Sequence, residues 1–347
     1  DRIARRKVIG LGSAPKSSIA LDFSRTNQLE NPQSLPDPLV CCPDCDFDPD
    51  DIYIHTSDKP EKPNNNDCAQ PVVEKVPCKT LMNDYRNMDE NLQCEKILDL
   101  RQAPIIAGGI AASKRQFPHM ALLGYGKNPE TAEWMCGGSI ITKKFILTAA
   151  HCISSPSLGV VKYAALGILR RSDRKKWHVY DIANIIKHPK YRAPIKYHDI
   201  ALLETGRDIV FNGEVLPACL LKDPRLETEV ATATGWGKTG HRKPVLVVKL
   251  SDDKCRKEYP VHRHLFKGYD PATQLCYGGV DQGITDTCEG DSGGPLQKDA
   301  DPGYPCIAVV FGVTSYGKAC GFPGSSGMYT KVTYYIPWIE SVVGKLP

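Results

Sequence analysis

The sequence predicts a mostly β protein built in two unequal parts. Residues 106–347 form a segment long enough for a large β domain with an extensive core. Within it, the apolar runs 145–147 and 200–203 have the length of strands, and the apolar spacing of 335–343 predicts a closing amphipathic helix. Residues 1–105 show little apolar periodicity. We therefore expect this first part to be loop-rich and held by disulfides, because packing alone would not fold it.

Composition and charge exclude several functional classes. Hydrophobic residues make up 41% and charged residues 24% of the chain, as in ordinary soluble proteins. No apolar run approaches the roughly 20 residues that span a bilayer, so we expect no membrane insertion. The net charge of +4 combines an acidic first part with a basic second part. We attribute these charges to solvated surface and expect no nucleic-acid partner.

The cysteine content indicates the compartment. A chain with 14 cysteines is typical of an oxidising environment. The sequence begins at Asp1 without a signal peptide, and we expect it to be the mature form of a secreted, extracellular protein. The cysteine spacings do not form paired ligand knuckles, and the aspartates of 44–51 lack the Gly and Glu that a calcium loop requires. No metal and no cofactor are expected.

Three motifs in the second part carry the chemistry of nucleophilic catalysis. They read TAAHC around His151, HDIALL around Asp199 and GDSGG around Ser292. A serine hydroxyl is a poor nucleophile at neutral pH, so it needs an imidazole to accept its proton and a buried carboxylate to orient that imidazole. The candidate catalytic residues are therefore Ser292, His151 and Asp199.

These motifs resemble those of the chymotrypsin-fold serine proteases, and the resemblance covers residues 106–347. It implies two six-stranded antiparallel β-barrels with a C-terminal helix and the active-site cleft between the barrels. It also implies that the backbone N–H groups of Gly290 and Ser292 form the oxyanion hole, which stabilises negative charge on the scissile carbonyl.

The same resemblance assigns the specificity pocket. Asp286 would lie at its floor, with Gly317 and Gly327 in its walls and Ser315 and Tyr316 on the strand that lines the substrate. A carboxylate at the floor favours a Lys or Arg side chain, and small wall residues leave room for it. Trypsin-like cleavage after Arg or Lys is expected. Tyr316 replaces the Trp that is usual in this strand.

An activation site is also implied. Family members are inactive until cleavage before an Ile-Val-Gly-Gly-like segment frees an α-amine that binds the Asp preceding the nucleophile. Here the segment begins at Ile106, its partner is Asp291, and the residue before the cut is Ile105. An Asp286 pocket should reject Ile105, so we expect an upstream activating protease of apolar preference and no efficient self-activation.

The resemblance further implies disulfide pairs. The expected pairs are Cys136 with Cys152, Cys255 with Cys276, Cys288 with Cys320, and Cys94 with Cys219. The last would keep the pro-region attached after activation. The sequence leaves six cysteines without an assigned partner, namely Cys41, Cys42, Cys45, Cys68, Cys78 and Cys306.

Residues 39–43, LVCCP, resemble the end of a clip domain, the small disulfide module that precedes many arthropod serine proteases. A clip domain uses six cysteines, yet none precedes Cys41. Either the module is degenerate, or residues are absent, or Cys41 and Cys42 pair with later cysteines. We divide the chain into a degenerate or incomplete clip-like region at 1–45, a linker and activation segment at 46–105, and a protease domain at 106–347.

Three further features resemble the Snake-like branch of clip-domain proteases, which acts in Toll-pathway and melanisation cascades. They are FPHMA at 117–121, the apolar residue before Ile106, and Cys306. The sequence therefore predicts a secreted zymogen that cleaves a protein substrate after Arg or Lys, activates a downstream protease or cytokine precursor, and meets a serpin-type inhibitor. The alternative is a non-catalytic clip-type cofactor that acts by binding.

Overall fold

The fold is given by a computed structural model, which describes residues 112–113, 115–237, 241–279, 291–299, 307–317, 326–344 and 346. The clip-like region, the linker and the activation segment of the sequence analysis lie outside these ranges. The described residues belong to the predicted protease domain.

Residues of the first half of this domain form a closed six-stranded barrel. Its strands follow the order β1-β2-β3-β7-β6-β5, and pairing of β1 with β5 closes the ring, with every pair antiparallel. A two-residue strand, β4, only extends β5. The strands are β1 Met120–Tyr125, β2 Glu133–Ile140, β3 Phe145–Thr148, β4 Ser154–Ser155, β5 Gly159–Leu166, β6 His178–Lys187 and β7 Ala201–Thr205.

The second half repeats the architecture. Six strands follow the order β12-β9-β10-β11-β14-β13, and pairing of β12 with β13 closes the ring. The short β8 adds a parallel pairing to β13. The strands are β8 Cys219–Leu220, β9 Val230–Gly235, β10 Lys243–Lys249, β11 Gln274–Gly279, β12 Pro295–Asp299, β13 Ala308–Gly317 and β14 Ser326–Lys331. The prediction of two six-stranded antiparallel β-barrels is confirmed.

Two helices complete the domain. Helix α1, Asp252–Glu258, begins after Ser251, whose hydroxyl accepts a hydrogen bond from the Lys254 amide. Helix α2, Val332–Val343, is the predicted C-terminal helix. Its buried residues, Val332, Tyr335, Ile336 and Ile339, recur at the spacing of one helical face. This face packs into a core cluster that combines residues of the first barrel with Ala308, Val310 and Val313 of β13, and the helix thereby contacts both barrels.

The apolar runs found in the sequence become barrel core. Ile146, Leu147, Leu202 and Leu203 are fully buried and lie in one cluster. Burying each such side chain contributes roughly 1.5–3 kcal/mol, so the strands that carry the candidate site are held firmly. No helix among the described residues has the length and apolar character that a membrane crossing needs.

Candidate active site

His151 is positioned where the first barrel leaves β3. The residue lies in a short 3-10 helix, Ala150–Ile153, directly after that strand. Its ring Nδ1 is 2.7 Å from Oδ2 of Asp199, and its backbone N–H donates to Oδ1 of the same carboxylate over 2.8 Å. The imidazole remains 32% exposed. One edge of the ring is thus fixed by a carboxylate while the side chain stays partly open to solvent.

Asp199 is the buried anchor of this pair. It precedes β7 and is 2% exposed. Its Oδ2 also accepts a hydrogen bond from the Ser315 hydroxyl, and its backbone carbonyl accepts one from Thr330 Oγ1 over 2.8 Å. Burial by itself raises the pKa of Asp199, but the charge of His151 and the hydrogen bonds from His151 and Ser315 hold that pKa below its ordinary value. Asp199 therefore remains an anion in the interior and favours a proton on Nδ1 of His151.

Ser292 sits on a turn clamped between the two barrels. The Gly137 amide on β2 donates to the Ser292 carbonyl over 2.8 Å, and the Gly293 amide donates to Thr314 on β13 over 2.8 Å. Gly293 has φ +77, a conformation that favours glycine. A Cβ at that position would lie 2.5 Å from the Gly137 carbonyl and overlap Thr148 Oγ1. The turn therefore requires Gly293, and it packs against the strand that leads to His151.

The structure brings His151 and Asp199 into direct contact and places the Ser292 turn against the same strands. Among the hydrogen bonds of the described residues, none joins Ser292 Oγ to His151 Nε2. Hydrogen bonds between a nucleophile and its base are often long without substrate and tighten in the reacting complex.

Asp291, next to the candidate nucleophile Ser292, is held by a turn at the end of β9. Its Oδ1 accepts a hydrogen bond from the Gly237 amide over 2.9 Å. A Cβ on Gly235 would stand 2.7 Å from Cγ of Asp291, so the turn is shaped around this carboxylate. Burial lowers the pKa of Arg171, and the nearby charge of Asp291 opposes that shift. The expected partner, Ile106, lies outside the described residues.

The expected specificity residues lie on two adjacent strands. Ser315, Tyr316 and Gly317 end β13, and Gly317 is in register with Gly327 on β14. A Cβ on Gly317 would meet only ordinary contacts, 3.5 Å from the Ser326 carbonyl. The remaining predicted residues of the pocket, oxyanion hole, activation site and disulfides lie outside the described ranges, namely Asp286, Gly290, Ile105, Cys94, Cys288 and Cys320.

Disulfides brace both barrels. Cys136 is bonded to Cys152, which places a cross-link beside His151. Cys255 is bonded to Cys276 and joins α1 to β11. Cys219 is also disulfide-bonded, with its partner outside the described residues. Two of the expected pairs are therefore present among the described residues.

The three side chains Cys136, His151 and Cys152 place their ligand-type atoms within 4.8 Å of one another. Both sulfurs are, however, joined in the disulfide. A metal ion is bound by thiolate, which a disulfide does not supply. This cluster therefore does not favour a metal.

Sequence reasoning missed two contacts of the site. Thr330, whose hydroxyl binds the Asp199 carbonyl, lies on β14, and no local signal marked it. Lys196 lies three residues before Asp199, and its Nζ is 5.3 Å from the centre of the Tyr316 ring. Its position near the HDIALL motif is the signal that could have identified it.

Known proteins resemble this chain over the region that carries the candidate site. Residues 106–339 match the protein-family model described as Trypsin. The chain is 37% identical over 255 residues to "Serine protease snk" of Drosophila melanogaster, covering 70% of this chain and 58% of that protein. It is 34% identical to "CLIP domain-containing serine protease C9" of Anopheles gambiae over 255 residues, 69% of this chain and 68% of the relative. It is likewise 34% identical to "Serine protease grass" of Drosophila melanogaster over 281 residues, 74% and 71% of the two chains. The matched region spans less than two thirds of the first of these relatives.

Proposed function

Because this chain belongs to the trypsin family of serine endopeptidases, and within it to the arthropod clip-domain proteases, we propose that it is the zymogen of a secreted protease in an extracellular cascade. The observation that carries this proposal is the buried Asp199 carboxylate bonded to His151 at 2.7 Å, beside the turn that carries Ser292. A protein that acted only by binding would not need a buried carboxylate that is hydrogen-bonded to a partly exposed imidazole.

The arrangement supports acyl transfer. His151 takes the proton of Ser292 Oγ as that oxygen forms a bond to the scissile carbonyl carbon. The resulting oxyanion is met by the N–H groups of Gly290 and Ser292, and losing one such donor typically costs on the order of 100- to 1000-fold in turnover. His151 then gives its proton to the leaving amine as the peptide bond breaks. Water, activated by the same imidazole, hydrolyses the acyl-enzyme and restores Ser292.

Cleavage after Arg or Lys is proposed from the pocket residues. Gly317 and Gly327 lie in register on adjacent strands and add no side-chain bulk. Asp286 would supply the carboxylate that pairs with the substrate cation. A downstream protease zymogen or cytokine precursor is the proposed substrate, and a serpin-type protein is the proposed inhibitor.

Activation is proposed to occur between Ile105 and Ile106, through an upstream protease of apolar preference. The freed amine of Ile106 would pair with Asp291, whose carboxylate already accepts the Gly237 N–H. Removing one partner of such a buried ion pair costs about 3–5 kcal/mol. A Cys94–Cys219 bridge would keep the pro-region attached, and Cys219 is disulfide-bonded.

The test uses full-length protein in which residues 101–105 are replaced by an enteropeptidase site of four aspartates and a lysine. Cleavage then leaves Ile106 as the new N-terminus. We expect fluorophosphonate labelling and hydrolysis of Arg and Lys peptides, but not Leu peptides, only in the fraction of molecules that N-terminal sequencing shows to be cut before Ile106. The matched Ser292→Ala protein should stay unlabelled. A chain that remains unlabelled after complete cleavage would be a binding cofactor instead of an enzyme.

The activation site is tested separately with the natural chain. Unmodified zymogen incubated alone at high concentration should retain the Ile105–Ile106 bond, because its own pocket rejects Ile105. N-terminal sequencing measures the outcome. Spontaneous appearance of an Ile106 terminus that requires intact Ser292 would contradict the proposed need for another protease.

A further inference from the structure

A lysine and a tyrosine form a defined pair beside the candidate active site. Tyr316 directly follows Ser315, the residue that donates to Asp199, and Lys196 comes three residues before Asp199. The Lys196 Nζ stands 5.3 Å from the centre of the Tyr316 ring, within the range of a cation–π contact. Both side chains are half-buried. The pair therefore adjoins, along the chain, the residues Ser315 and Asp199 that orient His151.

Hydrogen bonds hold this pair in place. The buried Gln274 amide donates from Nε2 to both the Lys196 carbonyl, over 3.3 Å, and the Tyr316 hydroxyl, over 3.1 Å. The Lys196 amide donates to the His264 carbonyl over 3.0 Å. The ring of Tyr259 packs edge-on against Tyr316 with centroids 5.7 Å apart. The Tyr316 ring and the Lys196 backbone are therefore held in place before a ligand arrives, which reduces the loss of conformational freedom on binding.

The surroundings of Lys196 are basic. The segment 261–267, which meets Lys196 through the His264 carbonyl, also carries Arg263 and Lys267. Desolvation and the nearby Arg263, His262 and Lys196 lower the pKa of His264, as expected where positive charges gather. In the described part of the chain, no carboxylate forms an ion pair with Lys196.

An ammonium group has three N–H donors. The face of an aromatic ring attracts the charge but does not provide these donors with a hydrogen-bond acceptor. A carboxylate that entered here would accept charge-assisted hydrogen bonds from Lys196 while its methylene groups lay against the Tyr316 ring. A basic side chain would be repelled instead.

We propose that Lys196 and Tyr316 form a subsite that binds an acidic side chain of the substrate close to the scissile bond. The inference rests on the proposed protease function and narrows the substrate class to sites where Asp or Glu accompanies the cleaved Arg or Lys. Lys196 supplies the charge that selects the side chain, and Tyr316 with Gln274 fixes its position.

The test measures kcat/KM of the enteropeptidase-activated full-length enzyme on internally quenched peptides. The two peptides of each pair share one Arg cleavage site and differ only by Glu or Gln at one position. Five positions are tested in turn, three on the N-terminal side of the scissile bond and two on its C-terminal side. The wild-type enzyme should prefer Glu at one of these positions by about tenfold, the factor that 1.4 kcal/mol provides. The preference should fall as ionic strength rises, because the subsite is partly open to solvent.

Variants assign the effect to Lys196. Lys196→Met should bring the ratio of kcat/KM on the Glu and Gln peptides to about one, and Lys196→Glu should favour a Lys peptide at the same position. Lys267→Met is the matched control, because it removes an equal charge whose ammonium lies 5.9 Å from the centre of the Phe266 ring instead. It should retain the preference.

The outcomes separate the two proposals. Equal rates on all Glu and Gln pairs, or a Glu preference that survives in Lys196→Met, would overturn the subsite. Failure to cut any Arg peptide, together with absence of fluorophosphonate labelling, would overturn the protease function on which it rests.

Discussion

The backbone amide of Gly237 donates a 2.9 Å hydrogen bond to Oδ1 of Asp291. This contact joins the turn after β9 to the residue that precedes the candidate nucleophile. Because the Ser292 and Gly293 backbone is bonded in turn to β2 and β13, the position of Asp291 affects the shape of the whole nucleophile turn.

Gly235→Ala tests this relationship. The new Cβ would overlap the Asp291 carboxylate, so the turn must shift, at a cost of about 1–3 kcal/mol for an overpacked site. We expect a lower melting temperature and a large loss of activity after cleavage. Gly206→Ala is the control, because its Cβ would meet nothing closer than 3.7 Å. Equal melting temperatures and activities for the two variants would show that the turn does not depend on Gly235.

Ser315→Ala removes one donor to the Asp199 carboxylate. In the folded protein the pKa of Asp199 lies below its ordinary value. The ionised carboxylate therefore stabilises the fold at any pH above that ordinary pKa, and this contribution is lost as the pH falls through the folded pKa. Without Ser315 the folded pKa rises, and stability at pH 7 should fall by about 2 kcal/mol. Urea unfolding at pH 7 and pH 3 measures the difference between the variant and wild type, which should shrink at pH 3.

Thr330→Val is the control for that experiment. Its hydroxyl binds the Asp199 backbone carbonyl, not the carboxylate. The variant should lose stability by a similar amount at both pH values. A pH-dependent loss in Thr330→Val, or a pH-independent one in Ser315→Ala, would contradict the assigned roles.

His119 should make the domain sensitive to mild acid. Burial lowers its pKa from 6.5 to about 4, against the opposing effect of the hydrogen bond that His119 Nε2 donates to Gln297 Oε1 over 2.7 Å. The unfolded chain therefore takes up a proton first, and folding stability falls between pH 6.5 and 4 by roughly 3 kcal/mol at about 1.4 kcal/mol per pKa unit. Above pH 6.5 this histidine has no such effect.

His119→Gln should reduce the fall in stability between pH 6.5 and 4, as measured by urea unfolding at half-unit intervals, and His188, whose pKa burial also lowers to about 4, should account for part of the remaining slope. His262→Gln should leave the slope unchanged, because His262 is exposed. If His119→Gln showed the same dependence of stability on pH as the wild type, groups other than His119 would cause the acid sensitivity.

The two described disulfides should have similar effects on stability and different effects on catalysis. Their cysteines are separated by 16 and 21 residues, and removal of either bond by double Ala substitution should cost about 3 kcal/mol. Loss of Cys136–Cys152 should also reduce kcat, because that bond and the hydrogen bond from Tyr125 to the Cys152 carbonyl fix the residue after His151.

Calorimetry and single-turnover kinetics at a temperature where both double variants remain folded measure these two effects. The Cys255→Ala/Cys276→Ala protein serves as the comparison. If its kcat fell as far as that of the Cys136→Ala/Cys152→Ala protein, the cross-link beside His151 would have no special catalytic role.

Much of the fold could be predicted from sequence because its signals are local. The motifs around His151, Asp199 and Ser292 each occupy a few neighbouring residues, and the spacing of 335–343 marks α2 directly. Contacts that depend on sheet register could not be predicted. Thr330 reaches the Asp199 carbonyl across 131 positions of the chain, and the pairing of β14 with β13 and β11 places it there.

The Lys196–Tyr316 pair illustrates the same limit. The two residues come from different parts of the chain, and their contact depends on Gln274, which begins β11. Neither residue type indicates a subsite by itself. The two side chains come into contact only because the closed second barrel places Tyr316 beside the segment that carries Lys196 and Asp199.

The bond from the Gly137 amide to the Ser292 carbonyl crosses the seam between the barrels. The candidate nucleophile Ser292 is therefore positioned by the docking of two barrels, each of which contributes only part of the candidate site. A denaturant or mutation that separated the two barrels at this seam would abolish hydrolysis while the strands of each barrel remained paired. Loss of turnover would then precede loss of secondary structure.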